Sequence, residues 1–192
     1  MNDADYIEEV INGDIHSTNQ KLAGLKTRDQ AKTFIYALIY GAGDAKIGSI
    51  INGDIKKGKA LKKRFFANLP ALKKLRDRVQ QASNRGFLKG IDGRRIHVRS
   101  QHSSLNTLLQ GGGAIVMKQA MINLYQLIQL NTFDAKFVAN IHDEWQLQVK
   151  ESQADCVGRL GVESIEKVTE QFNMRCNLTG EYKIGDTWYE TH

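Results

Sequence analysis

The sequence predicts an α+β chain, with a mainly helical first half followed by a small antiparallel sheet backed by helices. Three observations predict it. Proline occurs once in 192 residues, at Pro70, and Gly or Asn-Gly punctuation cuts the first half into helix-length segments. Between Gly86 and Ser100 the character changes: Phe87-Leu88-Lys89-Gly90 and Arg95-Ile96-His97-Val98 flank Asp92-Gly93, a hairpin signal. Phe137–Ile141 and Trp145–Val149 then form two apolar runs around a short turn. In the second run Trp145, Leu147 and Val149 alternate with Gln146 and Gln148, as in a half-buried strand.

The first-half helices are expected near 4–12, 16–24, 28–40, 44–51, 54–67 and 70–85. The third is the best bounded. Thr27-Arg28-Asp29-Gln30 has the T-x-x-Q form of a capping box, and Gly41 after Tyr40 is a suitable stop. A long helix is expected near 103–130, with Leu105, Leu108, Leu109, Ile115, Val116, Ile122 and Leu127 mostly on one broad face. A helix near 152–172 and a last strand near 181–185 complete the chain. No internal repeat or low-complexity linker is present.

At 41% hydrophobic, the chain is long enough for one domain, or two small subdomains sharing a core. Its apolar stretches are broken by Gly, Lys or Gln well short of a bilayer's thickness, so no membrane association is expected. The acidic start Met1-Asn2-Asp3-Ala4-Asp5 lacks the apolar core of a signal peptide. Cys156 and Cys176 lack metal-site spacing and suit reduced thiols, so the expected location is cytoplasmic.

The net charge of +6 is unevenly spread. Residues 54–99 hold fifteen Lys and Arg against Asp54, Asp77 and Asp92, while the remainder carries twelve basic and eighteen acidic groups. A solvated surface ordinarily mixes both signs, so this block points to an anionic partner. Turns interrupt it and no Trp/Phe-faced amphipathic stretch accompanies it, which favours nucleic acid over a membrane.

Within the helix starting at Thr27, Ala31, Phe34, Ile35, Leu38 and Ile39 fall at i, i+3, i+4, i+7 and i+8, a stripe that must be buried. Arg28, Lys32, Tyr36 and Tyr40 recur every four residues beside it. At about 100° per residue they form one face about 18 Å long. Two cations stand at the helix N-terminal half, where the helix dipole is also positive, and two aromatic rings follow. A triphosphate suits the first part, and a nucleobase or sugar the second. Taken singly, each residue also fits a solvated helix face or the edge of a core.

Arg28-x3-Lys32-x7-Tyr40-Gly41 is similar to motif B of family A (Pol I type) DNA polymerases. The run Ala31-Lys32-Thr33-Phe34-Ile35-Tyr36 with Tyr40-Gly41-Ala42-Gly43 especially resembles the bacteriophage branch. The resemblance implies that Arg28 and Lys32 contact the triphosphate, with Lys32 also counted as catalytic. Tyr36 would lie against sugar and base, Tyr40 would border the template-base pocket, and Gly41 would lie against the DNA. Asn12-Gly13-Asp14-Ile15-His16 also matches the family and implies a phosphate contact for His16; Asp14 is read as a helix cap.

Ile141-His142-Asp143-Glu144-Trp145 sets adjacent carboxylates at a turn, since neighbours on a strand would point to opposite faces. In this order it is similar to motif C. The implied roles are magnesium ligation by Asp143, support of the site by Glu144, and His142 near the primer end. Asn106 and Gln110, at i and i+4, offer two amides on one face and match the family's minor-groove contacts. Asp92-Gly93-Arg94-Arg95 matches its palm hairpin, which makes Arg94 and Arg95 phosphate contacts.

The resemblance covers the chain from Asp14 onward and divides it into fingers, 1–86, and the C-terminal part of the palm, 87–192. It implies primer-template DNA and dNTPs as partners, and two Mg2+ ions held by two aspartates. In relatives the second aspartate belongs to motif A, which precedes the segment where this sequence starts. A companion polymerase chain carrying motif A and the thumb is therefore expected for synthesis, in the host cytoplasm if the gene is a phage's. A single-subunit RNA polymerase shares the Arg-x3-Lys-x7-Tyr-Gly spacing, but Glu144 and the Asn106/Gln110 pair favour the DNA enzyme. A non-catalytic nucleic-acid-binding remnant is the alternative of a different class.

Overall fold

In the computed structural model the structure describes residues 3–191, so Met1, Asn2 and His192 lie outside it. Six helices come first: α1 (Ala4–Ile11), α2 (Ile15–Ala23), α3 (Arg28–Ile39), α4 (Asp44–Ser49), α5 (Ile55–Asn68) and α6 (Pro70–Ser83). Strands β1 (Phe87–Lys89) and β2 (Arg95–His97) follow, then α7 (Ser104–Leu130), β3 (Ala135–Ile141), β4 (Glu144–Val149), α8 (Ala154–Gln171) and α9 (Trp188–Thr191). The architecture is α+β, and each hairpin is its own two-stranded antiparallel sheet.

The helix starts follow from their caps. Side chains of Asp3, Asp14, Thr27 and Asp54 each accept a hydrogen bond from a backbone amide of the first turn, and Pro70 opens α6 where its missing N–H is not needed. At α3 the capping box forms in part. Thr27 accepts from the Gln30 amide at 3.2 Å, whereas the Gln30 side chain accepts from the Lys26 amide rather than that of Thr27.

The chain divides into two compact units, residues 1–89 with 95–109, and 90–94 with 110–192. Within the first unit β1 and β2 pack onto α6: Leu88 and Val98 are buried with Val79, and Leu108 from the start of α7 joins them. The main core of the first unit gathers Phe34, Ile35 and Leu38 of α3 around Ile47, Leu61, Phe65 and Phe66. Phe34 and Phe65 meet edge to face, 5.1 Å between ring centres.

In the second unit Leu124 and Ile128 of α7, with Val157 of α8, form a core covered by Phe137, Trp145, Leu147 and Val149 of the β3–β4 hairpin. Asn123 of α7 is buried, and its amide donates to the Ser164 carbonyl and the Gln171 side chain of α8. Two expectations change here. Leu105 and Ile115 are buried as expected, but Leu109 and Ile122 are 43% and 48% exposed, and the buried positions further along α7 are Ala120, Leu124 and Ile128. Residues 181–185 form no strand. Tyr182 turns onto α8, where its ring covers Gly158 and its hydroxyl donates to Asp155 at 2.7 Å. This side-chain anchoring takes the place of ladder pairing.

Helices α4 and α5 cross at a distance only glycine allows. A Cβ on Gly58 would stand 1.9 Å from the Asp44 carbonyl oxygen and 2.6 Å from the Gly48 nitrogen, both backbone atoms. Gly112, inside α7, has nothing within 4 Å of its Cβ position. Gly58→Ala is therefore expected to destabilise the fold by about 1–3 kcal/mol through overpacking. Gly112→Ala is expected to stabilise it by roughly 0.5–1 kcal/mol through helix propensity. Denaturant midpoints of the two variants check the opposite signs.

Candidate nucleotide and nucleic-acid site

Burial of Ala31, Phe34, Ile35 and Leu38 leaves Arg28, Lys32 and Tyr36 of α3 and Tyr40 at its C-terminal cap exposed, the two tyrosines by 48% and 54%. The four share a continuous face, cations first and rings after. His16, in the first turn of α2, joins that face with its ring centre 6.3 Å from that of Tyr36. Its Nδ1 is buried and has no hydrogen-bond partner.

Asp14 does more than cap α2. Its carboxylate accepts from the His16 amide and the Ser17 hydroxyl, and from Arg28 through Nε at 2.8 Å and a second guanidinium nitrogen at 3.1 Å. The pair ties the His16 turn to the start of α3 and fixes the Arg28 fork. Fourteen residues separate the partners, with no periodic pattern between them, so only the fold reveals the pairing.

At the other end of α3, Gly41 has φ +81°, in the left-handed region, and a Cβ there would lie 2.1 Å from the His102 carbonyl oxygen. Both facts demand glycine. Beside it opens a cavity of about 250 Å³ lined by Lys62, Arg76, Gln80 and His102, with Lys62 held by Asp44 at 2.8 Å.

The acidic turn lies in the second unit. The β3–β4 ladder runs to the pair Ile141–Glu144, so His142 and Asp143 alone make the turn. His142 takes φ +52°, an uncommon conformation for a residue with a side chain. Asp143 is exposed, Glu144 is half-buried, and the Glu144 carboxylate accepts from the Gln146 amide. Both acids border a groove of about 830 Å³ between β4, α8 and the C-terminal segment. Among the described residues no cluster of three or more His, Cys, Asp or Glu could hold a metal ion. The adjacent carboxylates of Asp143 and Glu144 are hard oxygen donors of the kind divalent cations take.

On α7, Asn106 and Gln110 occupy successive turns, and Asn106 Oδ1 is buried without a hydrogen-bond partner. On the first hairpin the two candidate arginines differ. Arg94 is engaged by Asp92 at 2.5 Å, whereas Arg95 is exposed with its guanidinium over the Phe87 ring.

The Asp14–Arg28 pair has a pH signature. Arg28 and then Ser17 hold the Asp14 carboxyl well below its ordinary value of 3.8. A depressed carboxylate adds stability above the unfolded-state pKa and loses it as pH falls below. Asparagine caps helices as well as aspartate, so Asp14→Asn isolates the charge. The variant is expected to melt below the parent at neutral pH, with the gap closing as pH drops through the carboxylate range. Thermal melts across pH check this, and a gap constant with pH would refute the pairing.

A family model described as DNA polymerase family A matches residues 5–190. Among curated relatives, the DNA-directed DNA polymerase of Escherichia phage Phieco32 is 43% identical over 97% of this chain and 32% of its own length. That of Escherichia phage T7 is 39% identical over 100% of this chain and 30% of its own. The chain thus spans about a third of the length of these relatives. A solved structure of the POL domain of Pol1 from M. smegmatis, in complex with DNA primer-template and dNTP, shares the fold with a TM-score of 0.75, at 24% identity over 86% of this chain and 33% of that one. Domain-wide sequence match and shared fold agree: the chain belongs to DNA polymerase family A.

Proposed function

We propose that this chain supplies the nucleotide-binding fingers and the motif C part of the palm of a DNA-directed DNA polymerase that extends a primer on a DNA template. The observation that carries this reading is the exposed face of α3, where Arg28, Lys32, Tyr36 and Tyr40 stand in line with His16 at its edge. A dNTP laid along it would put its phosphates at Arg28, Lys32 and His16. Sugar and base would lie against Tyr36, and Tyr40 with Gly41 would border the templating position. Lys32 would neutralise charge developing on the leaving pyrophosphate, where electrostatic stabilisation matters most.

The carboxylates of Asp143 and Glu144 provide one side of a Mg2+ site, and His142 meets the primer end. Bound magnesium would activate the primer hydroxyl and steady the leaving group. The second aspartate, the thumb and the rest of the palm would come from the remainder of the polymerase, on a companion chain or elsewhere in the same polypeptide. Arg94, Arg95, Asn106 and Gln110 are assigned to primer-template contacts, the two amides to minor-groove edges. Replication in a host's cytoplasm is the setting this implies. No helix of the described residues is long and apolar enough to cross a membrane.

Primer extension tests the reading. The 192-residue chain alone, in magnesium, is expected to give no robust extension, and mixing with a chain carrying motif A and thumb to give extension. In the mixture Asp143→Asn is expected to lower kcat on the order of a thousandfold while duplex binding is kept. Extension by Asp143→Asn at the parent rate would overturn the assignment. Separately, Arg28→Ala and Lys32→Ala are each expected to reduce kcat/KM for dNTP roughly 10- to 100-fold, the worth of a charge-assisted hydrogen bond. Steady-state kinetics with varied dNTP measure this.

A further inference from the structure

The outer face of the first hairpin gathers cations around one aromatic ring. Strand alternation turns Leu88 and Ile96 toward the core and leaves Lys89, Arg95 and His97 exposed, with Phe87 half-buried among them. The register sets Phe87 opposite His97 and Lys89 opposite Arg95. Arg85 precedes β1, and its Nε donates to the Phe87 carbonyl at 3.2 Å. The guanidinium carbons of Arg85 and Arg95 each lie 4.8 Å from the centre of the Phe87 ring.

Two like charges brought to one ring repel each other. The ring's negative π surface offsets part of that repulsion, and the backbone bond fixes Arg85. No aspartate or glutamate occurs in residues 85–89 or 95–99. The fold therefore holds two planar cations in place, with Lys89 beside them, and among the described residues neither guanidinium is in an ion pair. The ring's surface is already occupied by guanidiniums, which argues against a stacked base as ligand. Paired forks suit phosphate oxygens instead.

We propose that Arg85 and Arg95, set by Phe87, form a clamp for adjacent phosphates of a DNA duplex, which grips the backbone without reading its sequence. The clamp rests on the reading that this chain handles primer-template DNA. It adds Arg85 as a contact and Phe87 as a positioning residue.

Binding of the full chain to a short fluorescent DNA duplex, followed by anisotropy across a salt series, tests the clamp. Arg85→Gln and Arg95→Gln are each expected to flatten the slope of log affinity against log salt by roughly 0.9, one phosphate contact apiece. Arg85→Lys is expected to keep the slope. Phe87→Leu keeps every charge and much of the apolar volume, so it is expected to weaken binding by a factor of roughly 2–5 without changing the slope. Arg159→Gln, which removes a cation paired with Asp155 on α8, is expected to match the parent. A parent-like slope for Arg85→Gln, when the parent binds duplex, overturns the clamp alone. Failure of the parent to bind duplex at all overturns the DNA reading and the clamp with it.

Discussion

Edge-to-face packing of Phe34 on Phe65 orients what α3 presents to the outside. A helix has one rotational setting in which Phe34, Ile35 and Leu38 are all buried, and that setting turns Arg28, Lys32, Tyr36 and Tyr40 outward together. The candidate site is in this sense the reverse side of the core. Substitutions in the apolar stripe would act on the proposed nucleotide contacts by rotating or loosening the helix, without themselves lying on its exposed face. Both ends of α3 are fixed as well: Arg28 is forked to Asp14, and Gly41 lies against the His102 backbone.

The basic block of residues 54–99 is less uniform than its composition. Lys62, Lys73 and Arg94 are engaged by Asp44, Asp77 and Asp92, and Arg76 lies over Phe66. Ion pairs of this kind fix local geometry and contribute little to stability at an exposed site. What separates Arg85 and Arg95 from the paired cations is an aromatic neighbour in place of an acidic one. Net charge could announce an anionic partner, but only the sorting of individual cations indicates where it would be gripped.

Much of the architecture was legible because it is written in short-range chemistry. Caps at Asp14 and Thr27, Pro70 at a helix start, and Asp92-Gly93 between strands are local signals, and the elements they bound lie within a few residues of expectation. The cation–aromatic face of α3 was legible for the same reason, since a four-residue recurrence is a property of one helix. Features set by distant partners were not. The Asp14–Arg28 fork, the approach of His102 to Gly41 and the anchoring of Tyr182 on α8 each join segments with no shared period. Leu109 and Ile122 mislead because an apolar residue on a long helix does not reveal which of its neighbours will cover it.

The shortness of the β3–β4 connection has its own consequence. With the ladder closed as far as Ile141 and Glu144, the loop has no spare residue to absorb a change in length. A single residue added there must either widen the turn to three residues or slip β4 by one place, and the slip would give Glu144 the aspect of Trp145 and carry the indole off the core. Of the two outcomes only the wider turn keeps Phe137, Trp145 and Leu147 together on the core.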